Sequence, residues 1–154
     1  MTTIATGGFA NYDASFGAFS NGTEYVATVF MLLAALPFVR FVQLSAGTAR
    51  PLLQDTQIHA FFGTALVIVG LIAAWNVMQD AQVTEAGLRK AMFNTVSLLT
   101  GTGYASADYM QWGSFAVAVL FFTGLIGGCA GSTACSIKVF RYQLLFASIK
   151  SHKR

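Results

Sequence analysis

A chain of 154 residues that is 55% hydrophobic and only 10% charged has too little polar surface to coat a soluble domain of its size, so composition places it in the lipid bilayer. Its net charge of +3 comes without the clustered arginines and interleaved aromatics of a nucleic-acid footprint, which excludes a nucleic-acid partner. Its two cysteines, Cys129 and Cys135, share one apolar segment and read as buried thiols; a structural zinc site needs about four ligands.

In chain order, the first stretch is polar and glycine-bearing: Thr2-Thr3-Ile4-Ala5-Thr6-Gly7-Gly8-Phe9-Ala10-Asn11-Tyr12-Asp13. It is no secretory leader, because no basic segment precedes a continuous apolar core. Met1 reads as an interior position, and the chain as part of a longer one. Asn21-Gly22-Thr23-Glu24 then offers a helix start with Thr23 as N-cap. The apolar run 25–39 is short for a crossing that needs about 20 residues, and Pro37 breaks it. Residues 40–57, with Gly47, Arg50 and Pro51, form a polar connection, and 60–78 is the clearest span, ending on Trp75 and Asn76 at an interface.

Residues 79–87, with Asp80 and Glu85, read as an external loop. The helical stretch 88–99 carries Arg89, Lys90, Asn94 and Ser97, too polar and too short to cross, so a re-entrant helix fits it. The loop 97–108 follows, and then an uncharged run, 112–137, whose Gly124, Gly127, Gly128 and Gly131 permit close packing or a break. From Lys138 onward the chain is basic. His59 and His152 lack nearby ligand partners and read as solvated side chains. The spans 60–78 and 112–137 hold no His, Asp or Glu, which argues against a membrane-embedded enzyme.

The loop 97–108 echoes the opening stretch. A shift of about 95 positions lays Gly8 on Gly103, Phe9 on Tyr104, Ala10 on Ala105 and Asp13 on Asp108, the mark of an internal repeat. Glycines at such positions let main-chain carbonyls face a ligand. The re-entrant helix precedes the loop, so its partially negative end points at it and favours a cation there. Carbonyls can replace a cation's hydration shell. Asp13 and Asp108 either cap the following helices or attract ions; Phe9 and Tyr104 buttress the loops by packing. If the loops share one side, most basic residues fall on the other, so the positive-inside rule puts the loops outward. Asp13, Glu24, Asp80, Glu85 and Asp108 then form a mouth that concentrates cations.

The loops Thr-Gly-Gly-Phe-Ala-Asn-Tyr-Asp (6–13) and Thr-Gly-Tyr-Ala-Ser-Ala-Asp (102–108) are joined by Ile-Gly-Gly-Cys-Ala-Gly-Ser-Thr (126–133) and Ile-Lys-Val-Phe-Arg (137–141). Together they resemble the Trk/Ktr/HKT superfamily of potassium transporters, closest to the bacterial Trk-type membrane subunit. The resemblance implies an all-α membrane protein of potassium-channel-like repeats: crossing helix, re-entrant pore helix, filter loop, crossing helix. It implies that residues 1–56 end a third repeat, 57–149 form a fourth and 150–154 a basic cytoplasmic tail, the remaining repeats lying outside this chain. It implies potassium as the transported ion, with Thr6, Gly7, Gly8, Phe9, Gly101, Thr102, Gly103 and Tyr104 as the filter. The break around Ala35 and Pro37 becomes an intramembrane gating segment, and Lys138 or Arg141 the basic residue of the ion path. Where the family is usually glycine-rich, this chain has Ala134-Cys135-Ser136. The resemblance further implies a multi-pass protein of the inner cell membrane, in contact with lipid, a homodimer, and a cytosolic nucleotide-binding regulatory subunit. The isolated chain has a rival reading as a truncated, non-conducting remnant or accessory membrane module.

Overall fold

The computed structural model describes residues 1–48, 50–80 and 84–152. The sequence expectations for 81–83, for Lys153 and Arg154, and for the side chains of Asp80 and His152 lie outside what it describes. Among the described residues, seven α-helices and two 3-10 turns alternate with irregular segments, and the only β pairing is an isolated bridge between Ile126 and Ile137. The protein is all-α.

The first 3-10 turn, Ser15–Ala18, leads into α1, Asn21–Ala34. Ser20, extended at ψ 156°, holds the N-cap position, and Thr23 lies one turn inside, donating its N–H to the Ser20 carbonyl at 3.0 Å. The expected Thr23 cap is therefore replaced: Asn21 and Gly22 are already helical. At Pro37 the helix breaks as the sequence predicts, because proline has no N–H to continue the ladder and restricts the residue before it. The continuation α2, Phe38–Ser45, leaves at 92° to α1.

The connection predicted for 40–57 holds the end of α2, the short helix α3, Arg50–Leu53, and the start of α4, Thr56–Asp80. At 25 residues α4 is longer than its apolar core and, at 1.5 Å per residue, spans about 37 Å, enough to cross a hydrocarbon layer of about 30 Å. The corner between α2 and α4 is held by Arg40, which bonds Asp55 at 2.9 Å, while Asp55 also accepts from the Gln57 N–H at 2.9 Å.

Helix α5, Glu85–Leu99, starts on Thr84, whose hydroxyl accepts the Gly87 N–H at 3.2 Å, and packs on α1, α4 and α6. Three apolar clusters meet on it. Leu99 joins Ala35, Phe61 and Cys129; Phe93 and Val96 join Phe16, Met31 and Tyr104; Ala91 joins Ile72, Ala116 and Leu120. Arg89, Asn94, Thr95 and Ser97 are buried, whereas Leu66, Val67, Phe121 and Phe122 are exposed. A chain that turns its polar side chains inward and its apolar ones outward fits hydrocarbon surroundings.

After a second 3-10 turn, Tyr109–Trp112, helix α6 covers only Ser114–Leu125. The uncharged run is thus broken: from Ile126 to Lys138 the backbone is irregular before α7, Val139–His152. Close approach requires the glycines here. A Cβ on Gly128 would stand 2.6 Å from the Ala134 Cβ and 2.8 Å from the Ala35 carbonyl, and one on Gly127 would collide with the Cys135 carbonyl. Cys129 is buried as expected; Cys135 is exposed, because the irregular segment turns it outward beside Gly101.

In the full-length protein carrying this chain, Gly128→Ala is expected to cost about 1–3 kcal/mol through overpacking and to lower the thermal midpoint in detergent. Gly124→Ala, where a Cβ meets nothing within 4 Å, serves as the control and should leave the midpoint unchanged or slightly raised.

Candidate functional site

The end of α5 builds the second glycine loop. The Gly101 N–H bonds the Leu98 carbonyl at 3.0 Å and the Thr102 N–H bonds the Ser97 carbonyl at 2.9 Å, with Gly101 left-handed at φ 70°. This is the paired closure of a helix on a left-handed residue, which glycine adopts without strain. Gly103 is also left-handed, at φ 83°, although no helix end requires it. Nothing lies within 4 Å of where its Cβ would be, so this backbone faces open space.

The opening loop has the same construction. The Thr6 N–H bonds Thr3 at 3.4 Å and the Gly7 N–H bonds Thr2 at 2.8 Å, while Thr6 and Gly8 are left-handed at φ 49° and 66°. Each bond has its counterpart in the second loop, and so does each left-handed residue. Thr6 holds a conformation that costs a non-glycine residue about 1–2 kcal/mol. Its hydroxyl lies 2.8 Å from the carbonyls of both Ala5 and Thr133, so its position is secured from the irregular segment. The echo continues beyond the loops: each is followed by a four-residue 3-10 turn, a helix and a break.

The two loops touch. A Cβ on Gly8 would collide with the Thr102 carbonyl, the Phe16 N–H bonds the Ala105 carbonyl at 2.9 Å, and the Phe16 ring lies 4.5 Å from that of Tyr104. Tyr104 is buried and its hydroxyl bonds that of Thr2, so it buttresses the loops as expected. Phe9, expected to buttress its loop by packing, is 78% exposed among the described residues, and it is Phe16 that packs against Tyr104. Thr6 and Thr102 are buried, and Gly103 is exposed.

Below the loops runs the irregular segment. The Cys135 N–H bonds the Thr100 carbonyl at 3.3 Å, and the Cys129 N–H bonds the Ala35 carbonyl at 3.0 Å. The Phe38 N–H is taken up by Gly131 at 3.0 Å. Ala35 and Pro37 are thus buried at a break whose free backbone groups are met by the second break. Lys138, half-buried, donates from Nζ to the carbonyls of Ser132 and Ala134, whereas Arg141 lies exposed on α7. Lys138 is thereby tied to the irregular segment that the loops contact, whereas Arg141 lies on the exposed face of α7.

The acidic mouth is thinner than expected. Glu24 is buried and accepts from Arg89 Nε at 2.7 Å, and Glu85 takes Arg89 Nη1 at 2.6 Å and the Tyr25 hydroxyl at 2.6 Å. Neither is a free carboxylate for attracting ions. Asp108 accepts the Met110 N–H at 3.1 Å, the capping role the sequence left open. His59 is exposed, as expected, with a ring nitrogen 2.7 Å from the Leu53 carbonyl.

A family model described as "TrkH: Cation transport protein" matches residues 1–154. The chain belongs to the TrkH cation transport family. It is 38% identical over 156 residues to the Trk system potassium uptake protein TrkI of Halomonas elongata, with 100% of this chain and 32% of that protein aligned. It is 33% identical to Escherichia coli TrkG, over 97% of this chain and 31% of the relative. The crystal structure of the potassium transporter TrkH from Vibrio parahaemolyticus superposes with a TM-score of 0.90 at 30% identity, covering 99% of this chain and 34% of that one. The chain thus spans about a third of the length of these TrkH-family relatives. TrkH-family proteins are transporters, not enzymes, and the all-α architecture matches the solved member.

The Tyr25 hydroxyl, and after it the Arg89 guanidinium, hold the Glu85 carboxyl below its ordinary value of 4.5. A carboxyl depressed by folding contributes stability above its unfolded pKa and loses it as pH falls through the folded one. The thermal midpoint is therefore expected to decline below about pH 4.5, and Glu85→Gln to flatten part of that decline.

Proposed function

We propose that this chain forms part of the conducting pore of a Trk-type transporter that takes up potassium across the cell membrane. Residues 1–56 supply the end of one pore repeat, 57–149 a second, and 150–154 a cytoplasmic tail. The observation that carries this reading is the pair of touching loops with matching closures, Thr6-Gly7-Gly8 and Gly101-Thr102-Gly103, each left-handed at its first and last residue. Two further loops from the rest of the protein complete the ring. Potassium sheds water against their carbonyls, with Phe9 at the rim and Tyr104 behind the wall.

Further support comes from the sign of the field. The C-terminal end of α5, partially negative, abuts the second loop and favours a cation over an anion. Beneath the filter, the break at Ala35 and Pro37 and the irregular segment narrow the path, and Lys138, rather than Arg141, is its basic residue. The loops face outward in a multi-pass protein of the inner membrane. The exposed Arg50, Arg141 and Lys150 on the opposite side offer a basic surface to a cytosolic nucleotide-binding regulatory subunit, and the transporter works as a homodimer.

Gly103→Val in the full-length transporter tests the filter. A branched side chain at φ 83° is strained, by about 1–2 kcal/mol, and fills the open space in front of the loop. Rubidium uptake is expected to vanish while the protein still inserts in the membrane. Undiminished uptake would refute the assignment.

A further inference from the structure

The cluster of Glu24, Arg89 and Glu85 joins α1 to the start of α5, at the opposite end of α5 from the glycine loop. Arg89 and Glu24 expose only 4% and 5% of their side chains, whereas the Glu85 side chain is 62% exposed. The guanidinium is held at two corners: Nε faces Glu24 on α1, and Nη1 faces Glu85 one turn back on α5. Such a fork fixes orientation as well as distance. A buried ion pair is a poor source of stability, since desolvation offsets most of its attraction. Its geometric demand is what remains.

That demand is passed to the loop. Arg89 lies on the same continuous helix that closes on Gly101, roughly 15 Å along the axis from the helix end at Leu99 at 1.5 Å per residue. Between them Asn94, fully buried, donates from Nδ2 to the Ser106 hydroxyl at 3.1 Å and accepts the Ser106 N–H at 3.1 Å. The Ser97 carbonyl takes the N–H groups of both Thr102 and Gly103. The loop is thus tied to α5 on both limbs, and the opening loop is tied to the end of α1 through the Thr133 hydroxyl, which bonds the carbonyls of Ile4 at 2.9 Å and Ala34 at 3.1 Å, so the placement of α5 against α1 bears on that of Thr102 against Gly8.

We propose that Arg89 and Glu24 are positioning residues for ion discrimination: their buried pair sets the height and rotation of α5, and so the register between the two glycine loops. Resting on the transport reading above, this adds residues that touch no ion yet govern which ion passes.

The experiment compares rubidium and sodium uptake by the full-length transporter in cells lacking other potassium uptake, normalised to membrane abundance. Glu24→Gln, Arg89→Gln, Arg89→Lys, the Glu24→Gln/Arg89→Gln double variant and the exposed-arm variant Glu85→Gln are measured together. Glu24→Gln and Arg89→Gln are each expected to lower the rubidium-to-sodium ratio by at least about twofold, the lower bound for coupling between touching residues. The double variant should fall no further than the worse single, and Glu85→Gln less than either. Arg89→Lys, charged but unable to bridge both carboxylates, should lie between wild type and Arg89→Gln, and it carries the test with Glu24→Gln if Arg89→Gln fails to reach the membrane. An unchanged ratio in Glu24→Gln and Arg89→Lys, with uptake merely tracking abundance, would overturn the proposal, as would additive losses in the double variant. Wild-type protein with no rubidium uptake would instead defeat the transport reading itself.

Discussion

A peptide group in hydrocarbon has no water to bond, and every departure from helix in this chain must be answered by another part of the chain. The structure follows that constraint closely. The break after α1 frees backbone groups at Ala34, Ala35 and Phe38, and they are met by Thr133, Cys129 and Gly131 of the second break. The glycine loops are likewise closed on the turn or helix end that precedes each, and then on each other. Irregular backbone survives here because it comes in pairs.

Seen this way, the helices are the scaffold for the irregular parts. Helix α5 touches all three apolar clusters, so its end is located from three sides, while α4 supplies length and apolar surface. Tyr104 and Phe16 fill the gap between the loops, and Thr6 accepts a left-handed conformation that its hydroxyl helps to hold. This packing behind the loops fixes where the main-chain carbonyls of the proposed filter stand.

Much of this was legible in the residues. The spacing of Gly8 and Gly103, the proline at 37 and the apolar run of α4 each carry a local physical signal, and the structure realises all three. Glu85 and Arg89 sit at helix-pair spacing, a signal that was available. The partner Glu24 lies 65 residues from Arg89, and nothing local announces it. Phe9 differs for a related reason: its alignment with Tyr104 suggested an equivalent packed ring, but Tyr104 is buried against Phe16 whereas Phe9 is exposed. Cys135 read as buried because its neighbours are apolar. The irregular backbone that turns it outward depends on contacts made with Thr100 and Gly101.

The pairing of the two breaks bears on how such a chain can change over time. Apart from the Thr133 hydroxyl on the Ala34 carbonyl, its bonds run from main chain to main chain, so they ask little of side-chain identity beyond the room that Gly127 and Gly128 leave. Ala134-Cys135-Ser136 therefore keeps the contact without a glycine, with Ser136 itself adopting the left-handed φ of 67°. Away from Gly127 and Gly128 a substitution along this seam leaves the main-chain bonds in place, whereas inserting or deleting one residue in either break would shift the donors off their acceptors. Length, more than composition, is what the contact demands there.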